Sequence, residues 1–108
     1  MKGLVRPLAR EDILRQYRYL LVEANSPFAA ERFLREIQAA IKQICRRPGV
    51  GAAVRLQNPR LAGIRSWPVP GFAAIRVYYL VSEEAVHVVR VLHGKRDIAS
   101  ILENKSEQ

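Results

Sequence analysis

Hydrophobic positions in the first half of the chain recur with the period of an α-helix. One stripe, flanked by charged residues, consists of Ile13, Leu14, Tyr17, Leu21 and Ala24. A second stripe consists of Ala30, Phe33, Leu34, Ile37, Ile41 and Ile44. Between the stripes, Ser26 fits a helix N-cap and Pro27 fits the first helical position. Two amphipathic helices separated by so short a break are predicted to form an antiparallel hairpin.

The second half of the chain has strand character. Val50 to Ala62 is predicted to be a loop, and the following strands are predicted at Gly63 to Val69, Phe72 to Val81 and Ala85 to Leu92. Lys2 to Pro7 fits a short edge strand, and Asp97 could cap a short final helix. We therefore expect one α+β domain over residues 1–108, with the helical hairpin packed on an antiparallel sheet.

The alternation of side chains along the last two strands predicts two different faces. If the turn between them has two or four residues, Tyr78 lies opposite Val89 and Arg76 lies opposite Val91. One face then holds Arg76, Tyr78, His87, Val89, Val91 and His93, and we expect it to meet solvent or a partner. The other face is more apolar and is expected to meet the helices; it holds Ile75, Val77, Tyr79, Val86, Val88 and Leu92, with Arg90 among them.

Composition adds a strong positive charge to this picture. The chain of 108 residues has a formal charge of +8, and no acidic residue occurs between Glu36 and Glu83. Such asymmetry suggests an anionic partner, either nucleic acid or an acidic protein, although a solvated basic surface has the same pattern. A single cysteine, Cys45, and the lack of a long apolar run favour a cytoplasmic protein without disulfide, metal, cofactor or membrane segment.

Few residues suggest catalysis. The sequence has no Gly-rich phosphate loop, no Ser-His-Asp spacing and no paired carboxylates. His87 and His93 stand six positions apart on one strand, about 20 Å by strand rise, so they cannot share a metal ion. Arg76 stands among apolar residues on a predicted strand, which is unusual and suggests a functional role. Trp67 is predicted to anchor the core.

Several segments together resemble the ParE branch of the RelE/ParE toxin superfamily. They are the helix Pro27 to Ile37, the strands Gly63 to Val69 and Phe72 to Val81, and the segment Val88 to Asp97, which includes VRVLHGKRD. The resemblance spans nearly the whole chain and implies the same helical hairpin on a curved antiparallel sheet. It also implies a bacterial type II toxin that is neutralised by an antitoxin encoded beside it.

Two activities follow from this resemblance. ParE-type toxins are associated with poisoning of DNA gyrase, which implies a binding inhibitor, whereas RelE-type toxins cleave mRNA on the ribosome. Arg76 and Arg96 fall where RelE-type nucleases carry arginines, but Leu102 stands where many of them have a tyrosine. Because leucine cannot transfer a proton, this departure weakens the nuclease interpretation. The resemblance to the ParE branch implies gyrase inhibition. The mRNA endonuclease is the alternative, since an arginine cluster could still stabilise the transition state. A basic nucleic-acid-binding module without toxicity is a third hypothesis, based on charge alone.

The expected binding residues form two sets. Toxicity is assigned to the end of the last strand and the adjoining strand, at Arg76, His93, Lys95 and Arg96. Contact with an acidic ParD-like antitoxin, in a hetero-oligomer, is assigned to Arg65, Arg76, Tyr78, Val89 and Arg90. The simpler alternative is that Arg96 pairs with a nearby carboxylate such as Asp97.

Overall fold

Two helices form the first half of the molecule, and the second begins at Pro27, as the sequence predicts. A computed structural model describes residues 1–94, 96 and 98–103 of the chain. Helix α1, Pro7–Arg18, continues as a π-helical turn over Tyr19–Glu23. Helix α2, Pro27–Arg46, follows directly, and the Ala29 N–H donates to Ser26 Oγ at 3.2 Å, which confirms the predicted cap. None of the helices in these ranges is long and apolar enough to cross a membrane.

A five-stranded sheet has the order β1-β5-β4-β3-β2. The strands are β1 (Lys2–Val5), β2 (Ala52–Ala53), β3 (Arg65–Val69), β4 (Phe72–Val81) and β5 (Ala85–His93). Strands β2 to β5 pair antiparallel, whereas β1 joins the edge parallel to β5. A parallel pair needs a long connection, which the helices and strands β2 to β4 provide. The predicted loop, Val50 to Ala62, contains the short strand β2 and a 3₁₀ turn at Pro59–Leu61. Another 3₁₀ turn, Pro48–Val50, leads into it.

Both faces of the sheet are covered. The helices pack their apolar stripes on one face, where Phe33, Ile37 and Ile44 meet Val77 and Tyr79. The other face carries a second cluster formed by Leu61, Ile64, Tyr78, Val89, Leu92 and Leu102. Leu102 belongs to the short helix α3, Ile98–Leu102, which therefore lies on the side of the sheet opposite the hairpin. The predicted fold class is confirmed, with one additional covered face.

A β-bulge changes the predicted register of the last two strands. Near the turn, Val81 pairs with Val86 and Tyr79 with Val88, in the predicted register. Between Tyr78 and Tyr79 the register shifts, so that Tyr78 lies opposite Arg90. The predicted pair of Tyr78 with Val89 is therefore wrong. The extra residue in a bulge reverses which face each later side chain occupies.

Beyond the bulge, several predicted face assignments are consequently exchanged. Val91 packs with the helices, and Leu92 joins the second cluster. Arg76 lies opposite Leu92, whereas His93 lies opposite Ile75. The prediction that Arg76 and His93 share a face is thus wrong, since the alternation that supported it ends at the bulge.

Helix α1 is tied to β5 by a buried carboxylate. Asp12, which is fully buried, accepts hydrogen bonds from Arg90 Nε at 2.8 Å, Arg90 Nη2 at 3.0 Å and the Val91 N–H at 2.9 Å. Gln16 donates to the Val91 carbonyl at 2.9 Å. Because β1 pairs with β5 only as far as Val88, these α1 side chains satisfy backbone groups that the sheet leaves at its edge.

Candidate functional site

The structure divides the residues assigned to toxicity. His93 and Arg96 line a cavity on the hairpin side of the sheet. Arg76 is directed to the other side, where its Nε donates to Ser66 Oγ at 2.9 Å. Its stem passes beneath the turn after β5, since a Cβ on Gly94 would lie 3.5 Å from Arg76 Cδ. Lys95 lies outside the described residues, as does Asp97, the predicted helix cap.

The face predicted to meet the antitoxin is enclosed by the chain itself. Tyr78 is 3% exposed and Val89 is 2% exposed, because the second cluster covers them. Arg90 is buried and bound to Asp12. The prediction that this face is open is wrong, because α3 and the segment around Leu61 pack on it. Alternation along a strand separates two faces but does not show what covers either of them.

Arg65, the remaining residue of that set, is half-buried. Its Nη1 donates to the Gly51 carbonyl at 2.7 Å and to the Gly49 carbonyl at 3.3 Å. These bonds hold the 3₁₀ turn after α2 against β3. In this structure Arg65, like Arg76, supports the local backbone with its guanidinium.

A cavity of about 340 Å³ lies between α1, with its π-helical turn, and the first part of β4 with the last residues of β5. Its walls are largely apolar and include Tyr19, Leu20 and Ile75. Tyr19 is 60% exposed, so it forms the outer wall. π-Helical turns are often found at functional sites, and this one places Tyr19 and Leu20 side by side at the cavity.

The rim of this cavity is cationic. Arg15 and Arg96 both line it and are exposed to solvent. Arg18 and Tyr19 also line an adjoining depression with Val22 and Glu23. Asp12 lines the cavity too, but it is fully buried and its charge is matched by the Arg90 guanidinium. The site therefore combines an apolar interior with positive charge at its mouth.

The buried tyrosines are unsuited to proton transfer at neutral pH. Burial raises the pKa of Tyr78 above the ordinary value, and the nearby Arg76 guanidinium lowers it in part. Burial likewise raises the pKa of Tyr79, against smaller lowering effects from its Gly51 hydrogen bond and from Arg65. The Tyr79 hydroxyl donates to the Pro48 carbonyl at 2.7 Å and accepts from the Gly51 N–H at 2.8 Å. Both phenols stay neutral, and that of Tyr79 holds backbone groups together.

In the C-terminal helix α3, position 102 carries a leucine, which has no catalytic group. Leu102 is fully buried in the second cluster. The neighbouring Glu103 carboxylate accepts the backbone N–H groups of Gln57 and Asn58 at 2.7 and 2.9 Å, which fastens the helix to that loop. Among the residues that the structure describes, no group of three or more His, Cys, Asp or Glu side chains could hold a metal ion.

Sequence reasoning missed Asp12, Arg15 and Tyr19. Arg90 gave an indirect signal for Asp12, because a cation on a face expected to meet helices needs a buried carboxylate. Nothing in the helical period distinguishes Tyr19 as the wall of a cavity. The π-helical turn that places it there interrupts the regular spacing on which the pattern depends.

Comparison with known proteins now adds to this geometry. A family model described as the ParE toxin of the type II toxin–antitoxin system, parDE, matches residues 4–98. No curated protein matches the chain. Among solved structures, a chain of the chromosomal ParDE toxin–antitoxin system from P. aeruginosa is similar, with a TM-score of 0.66 and 17% identity over 86% of this chain and 95% of that one. At this identity the structural similarity establishes a shared fold.

Proposed function

The chain belongs to the ParE toxin family of type II toxin–antitoxin systems, and from this premise we propose that it inhibits DNA gyrase and is neutralised by an acidic, ParD-like antitoxin. The proposal describes a toxin that acts by binding and not by turnover. To the family membership it adds a target, DNA gyrase, and a partner, the acidic antitoxin.

The burial of Leu102 is the observation that favours a toxin acting by binding over one that cleaves RNA. The resemblance implies that many RelE-type nucleases carry a tyrosine at this position. Here the side chain is a leucine, fully enclosed between Tyr78, Val89 and Leu92. A buried hydrocarbon can neither transfer a proton nor touch RNA, so the nuclease alternative loses a general acid or base.

We place the target-binding surface at the end of β5. His93 and Arg96 lie at the mouth of the cavity, and Lys95 stands between them in sequence. Arg76 supports this surface from the opposite face of the sheet, because its stem packs beneath Gly94 and its guanidinium is bound to Ser66. Arg76 therefore acts as a positioning residue, and the cations after β5 make the contact.

Induced expression tests the proposed target. Gyrase inhibition predicts growth arrest with a DNA damage response, while the half-lives of cellular messages stay unchanged. Rapid loss of messages without a DNA damage response would instead establish the endonuclease. Coexpression of the small acidic protein encoded beside this gene is expected to abolish the arrest.

Substitutions at Arg96 test the proposed surface. Arg96→Ala is expected to weaken growth inhibition about tenfold or more at equal expression, as truncation of a binding hot spot does. Arg96→Lys separates charge from the planar geometry of the guanidinium. Arg60→Ala, at an exposed arginine on a 3₁₀ turn, is the matched control and should remain toxic. Full toxicity of both Arg96 variants would place the surface elsewhere.

A further inference from the structure

Internal contacts leave an apolar cavity with a cationic mouth between α1 and the β4–β5 strands. Tyr19, Leu20 and Ile75 contribute its apolar walls. Its volume of about 340 Å³ is near the lower limit for small-molecule sites, which suits a single large side chain better than a cofactor. Strong protein interfaces often centre on one such anchor in a desolvated pocket, surrounded by a polar rim.

The charges around the cavity define the chemistry of its occupant. Arg15 contacts Asp12 at 3.2 Å through Nη1, and its side chain remains 60% exposed. Arg96 also lines the cavity and is exposed. Among the described residues of the lining, Asp12 has the one carboxylate, and it is buried and bound by Arg90. An approaching segment therefore meets the positive charges of Arg15 and Arg96. Carboxylates that flank an apolar anchor would complement this rim.

We propose that this cavity receives a large apolar side chain of the antitoxin, from a segment in which aspartate or glutamate flanks the anchor. The inference rests on the proposed function, because it takes the acidic antitoxin as the partner. It also places antitoxin contact on the hairpin side of the sheet, away from the enclosed face of Tyr78 and Val89. Arg15 and Arg96 bind the flanking carboxylates, while Tyr19 and Ile75 enclose the anchor.

The test measures the affinity of the full-length toxin for the antitoxin encoded beside it, by calorimetry on purified proteins. Ile75→Phe fills the cavity, and Tyr19→Ala removes its outer wall. Each is expected to weaken binding about tenfold or more, as loss of an anchor contact does. Tyr19 is 60% exposed, so its replacement leaves the core intact even if Ile75→Phe disturbs folding.

Two matched variants control for size and for loss of an exposed ring. Val81→Phe adds the same kind of bulk at the other end of β4, and Phe28→Ala removes an aromatic ring that is 72% exposed at the start of α2. Neither residue lines the cavity, so both variants should bind the antitoxin as the wild type does.

The possible results separate this inference from the proposed function. If the wild type binds the antitoxin tightly and Tyr19→Ala and Ile75→Phe bind equally well, the inference is overturned and the proposed function stands. If these two variants keep antitoxin affinity but lose toxicity, the cavity holds the target, and the inference is again wrong. If the wild type itself does not bind the antitoxin, the proposed partner fails, and the inference fails with it.

Discussion

At the scale of single residues, Asp12 links the helical hairpin to the sheet. Its carboxylate binds the Arg90 guanidinium and the Val91 N–H just beyond the bulge in β5. A buried pair contributes little net stability, but removal of one partner leaves the other charge uncompensated. The position of α1 over the end of β5, and therefore one wall of the cavity, depends on this contact.

Replacement of Asp12 should accordingly be costly. Asp12→Ala is expected to lower the free energy of unfolding by about 3–5 kcal/mol, because the buried Arg90 guanidinium and the Val91 N–H would both lose the carboxylate to which they donate. Urea denaturation of this variant and of Glu11→Ala, a change at the exposed neighbour, provides the measurement. Equal midpoints for the two variants would show that Arg90 does not depend on Asp12.

Tyr79 supplies a second test at the residue scale. Tyr79→Phe removes the partner of the Pro48 carbonyl and the Gly51 N–H, and should cost about 1–3 kcal/mol of unfolding free energy. Thermal or chemical denaturation at neutral pH gives this value. Tyr19→Phe is the control, since the Tyr19 ring is largely exposed. Loss of stability in the control but not in Tyr79→Phe would contradict the assigned hydrogen bonds.

The raised pKa of Tyr79 predicts how stability changes in alkali. Burial favours the neutral phenol in the folded state, so the folded pKa lies above the ordinary value of 10.0 that the unfolded chain retains. This contribution is complete below pH 10.0 and is lost as the pH rises through the folded pKa. Unfolding midpoints measured from pH 8 to 11 should fall more steeply for the wild type than for Tyr79→Phe. Parallel curves would refute the effect.

The pairing of Arg90 with Asp12 could not be predicted from the sequence. Arg90 was recognisable as a charge on an apolar face, but its partner Asp12 is 78 positions away. The first helix carries two acids, Glu11 and Asp12, which are adjacent in sequence. Only the packing of α1 over the end of β5 distinguishes the buried carboxylate from its exposed neighbour Glu11.

At the scale of elements, the helices and strands were largely predictable and the bulge was not. Hydrophobic periods and turn residues located both long helices and the β4–β5 hairpin. The bulge falls within a run of branched apolar residues, where a shift by one position exchanges one valine or leucine for another. Side-chain alternation therefore could not reveal that Arg76 and His93 lie on different faces.

The packing of α2 on the sheet gives a prediction at this scale. Ile37 is 3% exposed at that interface, so Ile37→Ala should lower the unfolding free energy by about 2–5 kcal/mol. Gln38→Ala, one position along the helix on its exposed side, is the control. Denaturation midpoints compare the two variants. A midpoint unchanged in Ile37→Ala would mean that another side of α2 faces the core.

At the scale of the whole molecule, charge determines how the proposed partners meet. The chain carries +8, and residues 37–82 contain no acid. Opposite charge accelerates encounter with an acidic protein more than it strengthens the final complex. The basic stretch was evident from the sequence. The cavity was not, because it depends on contacts among α1, the π-helical turn and β5, which are far apart in the chain.

Salt should therefore affect association more than dissociation. Stopped-flow measurements with the antitoxin between 50 and 500 mM salt should show an association rate that falls steeply, because screening shortens the range of the attraction. The dissociation rate should change much less. An association rate indifferent to salt would remove electrostatic steering from the account.

The most direct test of the central proposal uses purified gyrase and purified toxin. We expect the toxin to block supercoiling of plasmid DNA in proportion to its concentration, and equimolar antitoxin to restore the activity. In parallel, programmed ribosomes with the same toxin should keep their message intact. Uninhibited gyrase together with cleavage of the ribosome-bound message would contradict the account and establish an endonuclease on this scaffold.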